Sequence, residues 1–322
     1  MAKKKEIVIL GGGTGLSTLL RGLKKFDAEL TAIVTVADDG GSSGRLRDDY
    51  QIPPPGDVRN VIAALSEVEP LVEEMFQYRF KGKGKEHLNG HSLGNLMLTA
   101  LTEITGDFSH AIREMSRVLN VHGRVLPAAN QRLTLFAELE DGRIVEGESK
   151  IPTYEKRINR VFCKPDHVRA LPEAIQAIKN ADLIVIGPGS LYTSIIPNLL
   201  VEDIRDAVLN AQGKKVYICN LMTQNGETSN YTASDHVQAI HDHVGADFID
   251  AILINNDAEV PENVQRAYEE EDAEPVKIDV PQLVQMGLVV EKRPIANVNK
   301  KGTVRHQATK VAEWLIDYMN TH

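Results

Sequence analysis

The sequence predicts a three-layer α/β fold, a Rossmann-like parallel sheet covered by helices, with a small antiparallel hairpin inserted. Three observations predict it. Short runs rich in Val and Ile are apolar almost throughout rather than alternating, as strands buried on both faces must be. Longer stretches with helical periodicity fall between those runs, which calls for right-handed crossovers in one sheet. Glycine-rich polar segments follow several of the runs, at the sheet edge where such folds gather ligands.

In chain order, the basic start Met1-Ala2-Lys3-Lys4-Lys5 leads into an apolar run ending at Leu10. That run is too short for an export signal or a spanning helix, so it reads as a buried first strand behind a solvated start. The expectation is a cytoplasmic protein without membrane insertion. Next comes Gly11-Gly12-Gly13-Thr14-Gly15-Leu16-Ser17-Thr18, then a helical run through Leu23. Glycines let the backbone turn sharply and approach a ligand closely, and the free N–H groups of a helix start attract an anion. Thr14, Ser17 and Thr18 add hydroxyls. No Lys follows where Walker A requires it, and Gly15 comes one residue early for the dinucleotide fingerprint.

The second strand, 32–37, ends in Asp38-Asp39-Gly40-Gly41-Ser42-Ser43-Gly44-Arg45. An acid here often accepts from a ribose. Paired acids also suit Mg²⁺, and either acts equally well as a base. The Gly and Ser run beyond them is expected to stay mobile until something binds. Pro53-Pro54-Pro55-Gly56-Asp57-Val58-Arg59 then leads into a helix over 58–67 with Asp57 as its cap. Arg59 in the first turn opposes the helix dipole, so it is expected to face a phosphate or carboxylate. A helix over 71–80 runs into a basic loop, 80–85, read as a solvated connection or as a lid over an anion. Asn89-Gly90-His91-Ser92-Leu93-Gly94-Asn95 opens a helix over 93–104, offering His91 as acid, base or phosphate donor and Asn95 as a polar reader. A further helix covers 110–119.

Runs at 133–139 and 143–148 flank Glu140-Asp141-Gly142, a hairpin turn between two α/β halves. In the second half, helices at 173–179 and 202–211 accompany strands at 183–186, 216–219 and 249–254. The strand at 183–186 leads into Gly187-Pro188-Gly189-Ser190, a second small-residue anion nest. Cys219-Asn220-Leu221-Met222-Thr223-Gln224 follows the strand at 216–219. Ser234 is placed as the cap of another helix, the acidic run 269–272 as a solvated helix end, and 306–319 as the closing helix. His236, His241 and His243 do not share the i, i+4 face of a helical zinc pair, so no metal site is assigned to them.

Composition bounds the function. The 322 residues are 42% hydrophobic and 25% charged, and 36 basic against 45 acidic residues give a net charge of −9. An acidic chain is a poor nucleic-acid binder, though it permits a local phosphate pocket. Two cysteines, Cys163 and Cys219, make neither a disulfide framework nor a cysteine zinc site. One domain over 1–322 is expected, with a nucleotide-binding half at about 1–120, the hairpin insertion at about 121–160 and a second half at about 161–322. A homodimer is the expected assembly, since such assemblies are the commonest.

Gly11 to Gly15, Ala37 to Ser42, Pro54 to Asn60, His91 to Asn95, Gly187 to Ser190 and Asn220 to Thr223 together resemble the YvcK family of bacterial gluconeogenesis factors. The resemblance covers nearly the whole chain, within the wider CofD-like superfamily of 2-phospho-L-lactate transferases. It implies a cytoplasmic protein needed for cell shape and for growth on gluconeogenic carbon sources. It also implies binding of UDP-sugars such as UDP-N-acetylglucosamine without an established reaction. Regulation by a Ser/Thr kinase is implied as well, with Thr303 or Thr309 as acceptor. Carried across, Gly11, Gly12, Gly13, Thr14 and Gly15 face a diphosphate, with Ser17 a further ligand-binding candidate through its hydroxyl, and Asp38 takes the acidic position near an acceptor or metal. Arg59, Asn95, Gly187, Gly189, Ser190, Asn220 and Thr223 complete the expected ligand set. Asp38, Asp39 and His91 are the catalytic candidates if there is a reaction. The alternatives are a Mg²⁺-dependent phospho-acyl transferase of the CofD type and an NAD-binding protein, because the NAD diphosphate satisfies the same nest.

Overall fold

The computed structural model describes residues 4–68, 70–82, 87–256, 268, 272–299 and 302–321. Its centre is a seven-stranded sheet built from β1 (Glu6–Gly11), β2 (Glu29–Val34), β3 (Arg124–Pro127), β7 (Leu183–Ile186), β8 (Lys214–Ile218), β9 (Ala251–Asn255) and β10 (Val289–Arg293). Every neighbouring pair is parallel, in the order β10-β9-β8-β7-β1-β2-β3. The order reverses between β1 and β7. This is the switch point of the sheet, where the loops leaving two adjacent strands diverge and open a crevice.

The helices of the first half are α1 (Gly13–Leu23), α2 (Gly41–Tyr50), α3 (Gly56–Leu65), α4 (Pro70–Gln77), α5 (Leu93–Thr105) and α6 (Phe108–Val118). Those of the second half are α7 (Pro172–Asn180), α8 (Ile196–Leu199), α9 (Glu202–Asn210), α10 (Ala233–Val244), α11 (Val280–Gln285) and α12 (Ala308–Thr321). The core sits between sheet and helices. Ile7, Ile9 and Leu10 of β1, and Leu16, Leu20 and Leu23 of α1, have no exposed surface. Burial on both sheet faces is the reason these strands carry continuous apolar runs.

The inserted antiparallel element has three strands rather than two. β4 (Thr134–Leu139) pairs with β5 (Ile144–Glu146) across the expected turn, and also with β6 (Ile158–Lys164). A further small pair, β11 (Ala296–Val298) and β12 (Val304–His306), precedes α12. The closing helix therefore begins at Ala308, because 304–306 is spent on strand pairing. Among the described residues, no helix is long and apolar enough to cross a membrane.

Three local expectations are corrected. The Gly-Ser run after Asp39 is not a loose loop: α2 begins at Gly41, and the Gly40 amide donates to Asp38 Oδ1 at 2.8 Å. Ser42, Ser43 and Gly44 are buried, so packing orders the segment without a ligand. Asp57 does not cap its own helix, since Pro55 holds the cap position and Asp57 lies in the first turn of α3. Ser234 is not the cap of α10. Thr232 is, in a reciprocal capping box with Asp235, while the Ser234 hydroxyl donates to Asp279 at 2.5 Å. Residues 83–85 of the basic loop and 269–271 of the acidic run lie outside the described residues.

Candidate functional site

A cleft of about 540 Å³ opens at the switch point between β1 and β7. One wall is the loop after β1, with Gly12, Gly13, Thr14 and Gly15. Facing it are Pro188, Gly189, Ser190 and Ser194 from the segment after β7. The loop after β8 contributes Asn220 through Asn225, and β12 contributes Val304, Arg305 and His306. Three segments that are far apart in the chain thus converge because each leaves the same edge of one parallel sheet.

The first wall follows from the geometry of a helix start. Gly12 is extended and supplies no side-chain cap to α1. The Gly13 amide donates to the Asp57 carboxylate. The amides of Thr14 and Gly15 have no acceptor among the described residues, so two N–H donors with the positive end of the helix dipole behind them face the cleft. Gly13 sits at φ +61°, in the left-handed region that glycine adopts without strain. A Cβ on Gly15 would lie 2.7 Å from the Pro188 carbonyl oxygen, so this position must stay bare for the two loops to touch. The neighbouring hydroxyls are engaged inside the helix. Ser17 donates to the Gly13 carbonyl at 3.0 Å and Thr18 to that of Thr14 at 2.8 Å. Gly11 is buried at the end of β1 behind the loop.

On the facing wall, Ser190 donates to Gln224 Oε1 at 2.8 Å, and Gln224 Nε2 donates to Glu227 Oε1 at 2.9 Å. The buried Glu227 also accepts from the Thr193 hydroxyl at 2.9 Å and the Tyr192 amide at 3.2 Å. Burial raises its carboxyl to about 7. Asn220 bridges two loops, donating to the Gly189 carbonyl at 2.9 Å and accepting from the Tyr217 hydroxyl at 3.1 Å. Thr223 accepts the Glu274 amide at 2.9 Å.

Behind the glycine loop lies a second polar group that does not line the cleft. The half-buried Asp38 is pushed up by burial, and the Ser43 hydroxyl donates to it. Asp57 is raised to about 7, first by burial and then by Asp38. Glu148, from the antiparallel insertion, is raised to about 8 by burial and by Asp38, Asp57, Glu227 and Asp39. Asp39 accepts the Ser149 amide at 2.8 Å and so ties α2 to that insertion. Arg59 is buried, donating to Asn95 Oδ1 at 2.8 Å, to Asn60 Oδ1 at 2.8 Å and to Gln77 Oε1. His91 is buried beside Ser42 at 2.9 Å, with its basicity lowered by burial. Among the described residues, no three His, Cys, Asp or Glu are placed to hold a metal ion. Mg²⁺ commonly takes one or two carboxylates and completes its shell with substrate phosphates and water. Asp38 and Asp39 are neighbouring carboxylates of that chemistry, outside the cleft lining and already accepting the Gly40 and Ser149 amides.

The fold therefore brings Gly12, Gly13, Thr14, Gly15, Gly189, Ser190, Asn220 and Thr223 to one cleft, and sets Asp38, Asp39, Arg59, His91 and Asn95 apart from its lining. Tyr268, Arg305 and His306 line it without having been singled out in the sequence. Arg305 is exposed and has no carboxylate partner among the described residues. His306 Nε2 lies 3.0 Å from the Cys219 carbonyl, and burial lowers its pKa to about 4. Their signal was masked because a three-residue strand is too short for any periodicity. Thr303 sits in the turn before β12 and Thr309 in the first turn of α12, both half-buried.

The profile of a family described as 2-phospho-L-lactate transferase CofD matches residues 7–296. The chain is similar to the gluconeogenesis factor of Bacillus subtilis (strain 168), with 59% identity over 319 residues that cover 99% of each chain. It is 55% identical over 316 residues to the gluconeogenesis factor of Halalkalibacterium halodurans, covering 98% of this chain and 97% of that one. A crystal structure of a Bacillus halodurans protein of the UPF0052 family superimposes with a TM-score of 0.94 at 55% identity, over 98% of this chain and 100% of that one.

Proposed function

This chain belongs to the CofD family, and from that premise we propose that it acts as a cytoplasmic gluconeogenesis factor. In this reading it binds a nucleotide-sugar of the UDP-N-acetylglucosamine type as a signal, and serves cell shape and growth on gluconeogenic carbon sources. The observation that carries the reading is the pair of amides at Thr14 and Gly15, free of protein acceptors at the switch-point cleft. They suit a diphosphate, whose oxygens accept without donating. Arg305 adds a cation on the opposite rim, and the cleft volume is within the range of small-ligand sites. The similarity to proteins named gluconeogenesis factor supports the physiological part.

The test is thermal unfolding with UDP-N-acetylglucosamine, GDP and NAD, each with and without Mg²⁺. A ligand at about a hundredfold over its Kd stabilises by about 2.7 kcal/mol. Selective stabilisation by the UDP-sugar with no turnover supports the reading. Stabilisation by GDP or NAD alone sinks it.

One observation favours a second reading as a CofD-type transferase. Asp38, Asp57 and Glu148 form a group of raised carboxyls directly behind the glycine loop. Asp38 and Asp39 would hold Mg²⁺, which would neutralise the donor's diphosphate while the acceptor oxygen bonds to its distal phosphorus and the nucleoside monophosphate leaves. Asp38 would orient the acceptor hydroxyl. Product formed from a nucleotide-diphosphate donor, lost in Asp38→Asn, decides for that reading.

A further inference from the structure

We propose that Ser190 presents a hydrogen-bond acceptor, not a donor, to the cleft, and so reads a hydroxyl or N–H group of the bound nucleotide-sugar rather than a phosphate oxygen. The proposal rests on the nucleotide-sugar reading and deepens it, by assigning opposite polarities to the two walls of one site.

The direction follows from three linked side chains. An ionised carboxylate accepts and never donates. Above about pH 7, where Glu227 is ionised, it obliges Gln224 to turn its NH₂ toward Oε1, at 2.9 Å. The same carboxylate is held by the Thr193 hydroxyl and the Tyr192 amide, so it is anchored independently of Gln224. With its NH₂ committed, Gln224 faces Ser190 with its amide oxygen, which only accepts, at 2.8 Å. The single Ser190 proton goes there. A hydroxyl has one proton and two lone pairs, so what Ser190 has left for the cleft is a lone pair.

A phosphate oxygen offers only lone pairs and gains nothing beside Ser190. A ribose or sugar hydroxyl, an acetamido N–H or a uracil N–H offers a proton. The amides of Thr14 and Gly15 on the facing wall have the complementary preference. The cleft thus sorts its ligand, with phosphates toward α1 and a donor group toward Ser190. This assigns the Gly187 to Ser190 segment a role other than the second anion nest expected from its small residues.

The test is titration calorimetry at pH 8.5, above the value of about 7 to which burial raises Glu227. Wild type and Ser190→Ala are each titrated with UDP-N-acetylglucosamine and with analogues lacking one donor apiece: the 2′-deoxyribose, 3′-deoxyribose, N3-methyluracil and sugar-deoxy forms. Ser190→Ala is expected to bind the parent about tenfold more weakly, the scale of one hydrogen bond. One analogue should show that loss in wild type and no further loss in the variant. Wild-type affinity in Ser190→Ala, or analogue losses that all add to the variant's, overturns the proposal. If UDP-N-acetylglucosamine does not bind wild type at all, the nucleotide-sugar reading fails. Neutron diffraction from deuterated crystals at the same pH then still decides the polarity: deuterium on Ser190 Oγ directed at Gln224 upholds it, and deuterium directed into the cleft overturns it.

Discussion

Asn95 donates its side-chain amide to the Ser42 hydroxyl at 3.0 Å while its amide oxygen accepts from Arg59 Nε at 2.8 Å. Arginine cannot accept, so the orientation of Asn95 is fixed; His91 Nδ1, at 2.9 Å, is the acceptor available to the buried Ser42 proton among the described residues, and we assign the proton to that contact. His91 is therefore neutral, with its proton on Nε2. Burial, together with Arg45 and Arg79, holds its pKa below the ordinary histidine value. Nitrogen NMR should show a His91 Nε2–H tautomer that persists below pH 6.5, and Ser42→Ala should release it to a mixture. An Nδ1–H tautomer in wild type would reverse the assigned direction of the whole chain of bonds.

The same network makes Arg59 a structural group. Its guanidinium satisfies Asn95, Asn60 and Gln77 in a buried setting. Arg59→Ala leaves the Asn95 oxygen without its donor, and a buried polar atom so orphaned costs about 1–3 kcal/mol. Urea unfolding should show a lower midpoint at unchanged slope. Wild-type stability would mean that water replaces the guanidinium freely.

Much of this was legible in the sequence, for a physical reason. Within β1, β7, β8 and β9 the stretches 7–10, 183–186, 216–218 and 251–254 are buried on both faces and apolar without a break, which is a strong local signal. β3 and β10 close the two edges of the sheet, where exposure permits Arg124, Glu291, Lys292 and Arg293, and no continuous run marks them. The glycine loop was visible because backbone approach needs glycine whatever surrounds it. Arg305 and His306 were not, because their place at the cleft depends on pairing with residues 296 and 297 rather than on their neighbours in sequence. Ser17, expected to offer its hydroxyl to a ligand, is buried within α1 and spends that hydroxyl on the Gly13 carbonyl, a choice sequence pattern does not reveal.

Stability should pass through a maximum near neutral pH. Asp57 and Glu227 are raised to about 7 and Glu148 to about 8, well above their ordinary values of 3.8 and 4.5. The folded state therefore holds more protons than the unfolded chain between those limits, so these carboxyls lower stability from about pH 4.5 upward, and the loss is complete once pH passes 7 to 8. The buried histidines have the opposite sign. His91, His236, His241 and His243 are lowered by burial and His306 reaches about 4, so their contribution is present above 6.5 and is lost as pH falls below it. Melting temperature against pH should peak at about 6–7 and fall on both sides. Glu148→Gln should flatten the alkaline limb. A melting temperature that climbs steadily from pH 6 to 8.5 would contradict the raised carboxyls.

The contact between Gly15 and Pro188 couples binding to the spacing of the two loops. A methyl group at Gly15 would meet the Pro188 carbonyl oxygen at 2.7 Å and the Gly189 amide nitrogen at 3.2 Å, both backbone atoms that cannot swing aside. Gly15→Ala must therefore push the loop after β7 away from the start of α1. That displacement moves the Thr14 and Gly15 amides relative to Ser190, so a ligand spanning the cleft cannot satisfy both walls. The sheet beneath, with Leu10 and Ile186 fully buried, is unaffected. The expected outcome is a loss of affinity for UDP-N-acetylglucosamine of about a hundredfold, or about 2.7 kcal/mol. The melting temperature should drop only a few degrees, on the order of 1 kcal/mol. Arg305→Ala, on the open rim, should cost about tenfold in affinity with no change in melting temperature. Equal affinity in Gly15→Ala and wild type would show that the ligand does not bridge the two loops.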